Sequence, residues 1–401
     1  MNSPFAPIAR PAAFALLALS LAGCRSHDFP QYPPNYREYA YVTNGGSNTV
    51  TVIDVVDVRL DREIAVGQNP VAVAANPTRN EIYVLNSGTA SGQGSVSVIN
   101  AQNNTVAATI PVRRQPVSIE IDSAGNLAYV ANSGSNTVSV LDLSARREIA
   151  VVGAGEEPVA ARISPDGKTL AVANRRGNSV SLFDLEPAPA IPRVRQVVEG
   201  CPGASDAVIL PDSSKVFAAC SAGHQIVAIA LARSTAQPAS SSTASSGLAR
   251  PDRLEALLDV GKAPLQLALK PDGGELFVLN SLSNTISEVV TGTDDAGGSY
   301  MIGDDPVRGL VSADNSMLYV ANFRSQYVTV YSIDDGKRIG SIDVGDGPSA
   351  LAFSNSGLLL FVVDTRSGEV AVVRTASNSI FTLLPAGRAP NAIAVKAFKL
   401  P

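Results

Sequence analysis

Residues 116–153 read PVSIEIDSAGNLAYVANSGSNTVSVLDLSARREIAVVG. Four short β-type runs follow one another in this stretch. Residues 117–121 form the first, and residues 123–126 the turn after it. Residues 128–131 form the second, and Asn132 to Asn136 the loop that follows. Residues 137–141 alternate Val138 and Val140 with Ser139, and residues 147–152 close the unit at Gly153. Runs of this length, rich in Val and Ile and separated by Gly, Asn and Asp, predict a four-stranded antiparallel sheet, with strands A to D in chain order.

The unit recurs along the chain. Tyr129-Val-Ala-Asn132 is preceded by Tyr41-Val-Thr-Asn44 and Tyr83-Val-Leu-Asn86. It is followed by Ala171-Val-Ala-Asn174, Phe217-Ala-Ala-Cys220, Phe277-Val-Leu-Asn280, Tyr319-Val-Ala-Asn322 and Phe361-Val-Val-Asp364. The steps are 42, 46, 42, 46, 60, 42 and 42 residues. A proline anchor keeps time with the motif at Pro70, Pro116, Pro158, Pro264, Pro306, Pro348 and Pro390; in the degenerate unit its place falls near Ala204. Four strands on a period of 40 to 45 residues predict an all-β fold, a β-propeller of four-stranded blades. Eight B strands and eight A strands give eight blades. The first B strand precedes any A strand, so residues 391–396 are expected to complete the first blade, whose other strands come from residues 39–66. The alternative is seven blades with one terminal unit packed irregularly.

On these motifs the chain resembles the bacterial and archaeal YVTN β-propeller repeat family, over Tyr39 to Val395. The resemblance implies the fold but no particular activity. Seven blades are the commoner count in that family, so eight is a departure.

The N-terminus reads as an address. Arg10 is the only charge before residue 24, and Pro11 to Leu21 is a short apolar core. This is the pattern of a secretory signal, residues 1–23, too short to span a bilayer, which needs about 20 residues. Leu21-Ala22-Gly23-Cys24 resembles a bacterial lipobox, which implies lipidation of Cys24 as the new N-terminus and a membrane anchor. By the same resemblance Arg25, where Asp would mark inner-membrane retention, points to the outer membrane of the cell envelope, on its periplasmic or its surface side. Residues 24–38 are expected to be a tether, and residues 39–397 the propeller. Residues 233–251, with a Ser/Ala run at 239–246, read as a flexible insertion between strands C and D.

In such a ring the D–A loops and B–C loops emerge on one face, where chemistry-bearing residues collect. The D–A loops carry Arg114 and Arg388, and the B–C loops Arg175, Arg176, His224, Arg324 and Arg366; Gln266 and Arg308 lie near the start of strand A. Arginine suits planar anionic groups. These residues are the candidate binding set, and the competing reading is that the loop charges pair with one another. Cys201 and Cys220 share the degenerate unit and fall toward one face, so a disulfide and two free thiols are both open.

Composition removes other functions. The chain has 401 residues, 31 Lys+Arg against 36 Asp+Glu, 2 His, 3 Cys and no Trp. The slight negative charge argues against a nucleic-acid partner. Two His and three Cys leave no structural zinc set, and no metal site or bound cofactor is expected. There is no G-x-S-x-G, no Cys-x-x-Cys-His and no calcium loop. The absence of Trp counts against quinoprotein propellers. A non-enzymatic, monomeric binding scaffold for a protein, peptide or envelope ligand is therefore expected. A lactonase-like hydrolase is the alternative, and a haem d1-like redox propeller, resting on His224 alone, a minor one.

Overall fold

The computed structural model describes residues 32–185, 191–232 and 251–400. Every regular element among them is a β-strand, 32 in all, arranged as eight four-stranded antiparallel sheets. The Cys24 lipobox, the signal and most of the tether and of the insertion lie outside the described residues. The eight sheets are the blades of a propeller. Blade 1 joins Tyr36–Asn44, Thr49–Asp54 and Arg59–Ala65 to the C-terminal strand Pro390–Lys399. Blades 2 to 8 follow in chain order. Their inner strands are Pro70–Ala75, Pro116–Ile121, Pro158–Ile163, Ala204–Ile209, Pro264–Leu269, Pro306–Val311 and Pro348–Phe353.

The closing strand pair is longer than the hydrophobic pattern predicts. Tyr36 pairs with Lys399 and the ladder runs to Asn44 opposite Pro390. Regular structure thus begins three residues before Tyr39 and continues two beyond residue 397. Backbone pairing carries it past the apolar run, because an edge left open would expose unpaired N–H and C=O groups.

The core lies in eight seams, one between each pair of neighbouring blades. Side chains alternate along a strand, so the second strand of blade 3 sends Ala128 and Val130 into the seam with blade 2 and Tyr129 and Ala131 into the seam with blade 4. Both faces are dry, which is why these strands read as unbroken apolar runs rather than alternating ones. Phe217, Phe277 and Phe361 fill the seams between blades 5 and 6, 6 and 7, and 8 and 1 without exposed surface, each burial contributing about 1.5–3 kcal/mol.

Candidate functional site: the loop face and the central channel

One hydrogen bond, repeated in all eight blades, holds the D–A and B–C loops together on one face. The residue before each anchor position has positive φ, as at Asn69, Gln115, Glu157 and Ala263. Its carbonyl accepts an amide from the B–C loop of the same blade: Ser87 N to Asn69 O, Ser133 N to Gln115 O, Arg175 N to Glu157 O, Ser281 N to Ala263 O. The preceding blade adds a side-chain acceptor. Asn48 Oδ1 takes the Asn69 amide, Asn136 Oδ1 that of Glu157 and Asn284 Oδ1 that of Asp305. His224 occupies this asparagine position in blade 5: its φ is 58° and its Nδ1 accepts the Ala263 amide at 3.1 Å. The imidazole is part of the lattice between blades 5 and 6.

The loop arginines divide into two groups. Arg175 and Arg176 pair with Glu157, Arg324 with Asp305, and Arg366 with Asp346, at 3.0 to 3.5 Å. Each carboxylate comes from the D–A loop of the same blade, brought there by the repeated backbone bond. Such exposed pairs contribute little, about 0–1 kcal/mol. Arg114 and Arg388 are exposed and make no ion pair with a described residue; their backbone amides are held by Ser135 Oγ and Ser47 Oγ. On blades 6 to 8 the arginines adjoin apolar groups. Leu282 is 72% exposed, and it shares a depression of about 330 Å³ with Asp304, Asp305 and Arg324. The Arg366 guanidinium stacks over Phe323, 4.4 Å from the ring centroid.

Arg308 belongs to neither group, because it lies in the central channel. The channel forms a cavity of about 630 Å³ lined by the inner strands. Glu120, Arg162, Asp206 and Gln266 line it too. Arg162 Nη2 lies 2.9 Å from Asp206 Oδ1. Asp206 Oδ2 accepts the Leu267 amide at 3.2 Å, and Gln266 Oε1 accepts the Gly309 amide at 2.8 Å. Burial pushes the Glu120 carboxyl up despite Arg162 and the Ile163 amide, which favour its charged form. Arg308 keeps solvent-accessible surface toward the channel, yet enclosure by the channel walls pulls it below the usual guanidinium value, and repulsion from Arg162 adds to it; Asp206 offsets part.

Glu120, Arg162 and Asp206 escape a reading based on loops. Their signal is a charged residue at the fifth position of strand A, where the other six blades hold Ala, Val or Leu, or at the third, where four blades hold Ala. In the degenerate unit Cys201 and Cys220 are joined by a disulfide with their Cα atoms 4.7 Å apart. No group of three His, Cys, Asp or Glu able to hold a metal occurs among the described residues.

No family model matches the chain, and no curated protein matches its sequence. Many solved structures share the fold. The dihydro-haem d1 dehydrogenase NirN in complex with DHE superposes with a TM-score of 0.68 and 15% identity, covering 91% of this chain and 76% of that one. A provisionally assigned 6-phosphogluconolactonase from Bacteroides uniformis gives 0.60 and 12%, covering 90% and 100%. A functionally unknown protein from Desulfotomaculum acetoxidans gives 0.59 and 14%, covering 89% and 98%. At these identities the likeness concerns the fold alone.

Proposed function

We propose that this propeller is a lipid-anchored binding scaffold of the bacterial envelope, a YVTN-repeat protein carried on Cys24, that captures a protein or envelope polymer on its D–A/B–C face. The observation that carries this reading is the surface of blades 6 to 8. Leu282 stands exposed beside Arg324, and the Arg366–Phe323 stack follows on the next blades. Arginine and aromatic side chains are enriched at interaction surfaces, an exposed apolar side chain beside them adds area that a partner can dry, and loops on a rigid ring are where binding residues collect. Crosslinking in intact cells, followed by identification of what is captured, tests it. Leu282→Asp and the pair Arg324→Glu with Arg366→Glu are expected to cut capture at least tenfold. Equal capture by these variants would move the interface off this face.

A second reading, a lactonase-like hydrolase, is favoured by Glu120, a carboxyl with a raised pKa beside Arg162 in the channel. A carboxyl whose proton is held more tightly than usual by burial is suited to act as a general acid. It predicts turnover of sugar or homoserine lactones by the purified protein and loss of turnover in Glu120→Gln. No turnover above buffer across both lactone classes ends that reading. Haem loading is checked by the visible spectrum of natively purified protein, where a featureless trace removes the redox alternative.

A further inference from the structure

The channel has two unlike walls. Charged and amide groups occur on five successive blades, as Glu120, Arg162, Asp206, Gln266 and Arg308. The facing arc, from blades 8, 1 and 2, is lined by Ala350 and Leu351, which are largely buried in the seams, and by the half-buried Ala392, Ile393 and Val71. Asn391 also lies on this arc, but its amide is spent: Nδ2 donates to Pro70 O and Oδ1 accepts from Thr43 Oγ1. On the polar wall, Arg162 is neutralised by Asp206 at 2.9 Å. Gln266 is satisfied at both ends, its Nε2 donating to Leu267 O and its Oε1 accepting the Gly309 amide. Arg308 makes no ion pair and no hydrogen bond with a described residue and feels Asp206 only at longer range.

One guanidinium fork is therefore left over, beside an aliphatic arc that begins on the next blade, in a cavity of the size that holds small organic ligands. We propose that the channel binds a small monocarboxylate with an aliphatic body, its carboxylate on Arg308 and its hydrocarbon against the Ile393–Val71 arc. The charge count selects a monoanion. With Arg162 and Asp206 neutralising each other, Arg308 is the one uncommitted cation of the wall and Glu120 the one uncommitted acid, so the second charge of a dianion such as phosphate finds no cation to balance it. The planar fork of Arg308 matches a carboxylate in two parallel hydrogen bonds. Hydrocarbon transferred from water onto the apolar arc contributes in proportion to the area covered, so affinity should grow with chain length. This site is separate from the loop face, and its occupancy does not depend on partner capture there.

Calorimetric titration of the full-length protein with hexanoate, acetate, hexylamine and inorganic phosphate tests the assignment. Hexanoate is expected to bind at least tenfold more tightly than acetate or phosphate, and hexylamine not to compete. Arg308→Gln should weaken hexanoate at least tenfold, and Arg308→Lys should fall between the two because it keeps the charge and loses the fork. Arg324→Gln, on the loop face, should bind as the parent does. Hexanoate recovered unchanged after incubation keeps this binding distinct from turnover. The proposal is overturned if hexanoate gives no heat, if hexylamine or phosphate binds as tightly, or if Arg308→Gln binds unaltered. Should Arg308→Gln not fold, the ligand series on the parent and the Lys variant decide the matter.

Discussion

Asn132 has no exposed surface, and its Nδ2 donates to Ser139 Oγ seven residues on, at 2.9 Å. The same bond joins Asn44 to Thr51, Asn174 to Ser181, Asn280 to Ser287 and Asn322 to Thr329. In blade 2 it joins Asn86 to Ser97 across a longer loop. The two blades without this asparagine also lack the hydroxyl: Cys220 is followed seven residues later by Val227, and Asp364 by Ala371. Asp364 accepts the Gly345 amide on Oδ2, while its Oδ1 is buried without a partner. Burial pushes its pKa up to about 7, with Glu369 and Asp346 adding to the rise. The folded state thus holds a proton that the unfolded chain releases near 3.8. Stability is greatest below about pH 4 as far as this group is concerned. It declines as pH rises to about 7, by a total on the order of 4 kcal/mol. Asp364→Asn with Ala371→Ser rebuilds the pair of the other blades. Its melting temperature should exceed the parent's increasingly from pH 5 to 8, and parallel curves would refute the argument. The disulfide follows the same logic. In blade 4 a Cβ on Gly155 would stand 2.6 Å from Asn174 Cγ, so glycine and asparagine touch there. In blade 5 that touching pair is replaced by Cys201 and Cys220. Cys201→Gly, Cys220→Asn and Val227→Ser together should fold and unfold identically with and without reductant, whereas reduction of the parent should cost about 3 kcal/mol. These paired departures stand in the sequence at fixed offsets. The Tyr-Val-x-Asn motif contains only the Asn column, and the hydroxyl and glycine columns acquire meaning once the blade brings them into contact with it.

At the level of elements, the long insertion is held at its base by a neighbouring blade. Asp252 is almost wholly buried, and Arg195 of the outer strand Arg193–Glu199 of blade 4 clamps it, Nε to Oδ2 at 2.6 Å and Nη2 to Oδ1 at 3.0 Å. Asp252 Oδ1 also accepts the Ala232 amide at 2.7 Å, which ties the two ends of the insertion to each other. Arg195 Nη1 reaches Asp184 at 2.7 Å within its own blade. Removing the cation leaves a buried carboxylate uncompensated, so Arg195→Met should cost about 3–5 kcal/mol in urea denaturation. Adding Asp252→Leu should recover a large part, since the unpaired charge goes too. A double variant no more stable than Arg195→Met would show that the clamp acts through shape instead. Strand number and order follow from periodicity, because each blade repeats the same run of Val, Ile and turn residues. The clamp does not, since Arg195 and Asp252 lie 57 residues apart and only the ring makes them neighbours. The channel wall was half legible for a related reason. Gln266 and Arg308 stand out near their anchors, but the Arg162–Asp206 pair forms across two blades.

Considered whole, the ring is a closed repeat whose seam position is arbitrary. Its eight interblade cores are alike in kind, and the chain enters and leaves at blade 1, where Asn35 and Leu400 bond reciprocally: Leu400 N to Asn35 O at 2.8 Å and Asn35 Nδ2 to Leu400 O at 3.1 Å. The two ends of the ring therefore touch. The insertion offers a second place where the chain can be cut, because Ala232 and Asp252 are already joined at its base. A circular permutant that links residue 400 to residue 36 through a short glycine linker, and begins at residue 251 and ends at residue 232, conserves every sheet and seam. It exchanges closure in blade 1, where the C-terminal strand is innermost, for closure in blade 5, where the N-terminal strand becomes outermost. Exposed loops tolerate such cuts, whereas strands do not. The permutant should give the parent's far-ultraviolet circular dichroism and one cooperative transition within a few degrees of the parent. Deleting residues 390–401 instead removes the inner strand of blade 1 and bares the edge of Tyr36–Asn44 to the channel. That variant should lose the cooperative transition or aggregate. A permutant that fails while the deletion survives would mean that the ring depends on where its chain closes rather than only on being closed.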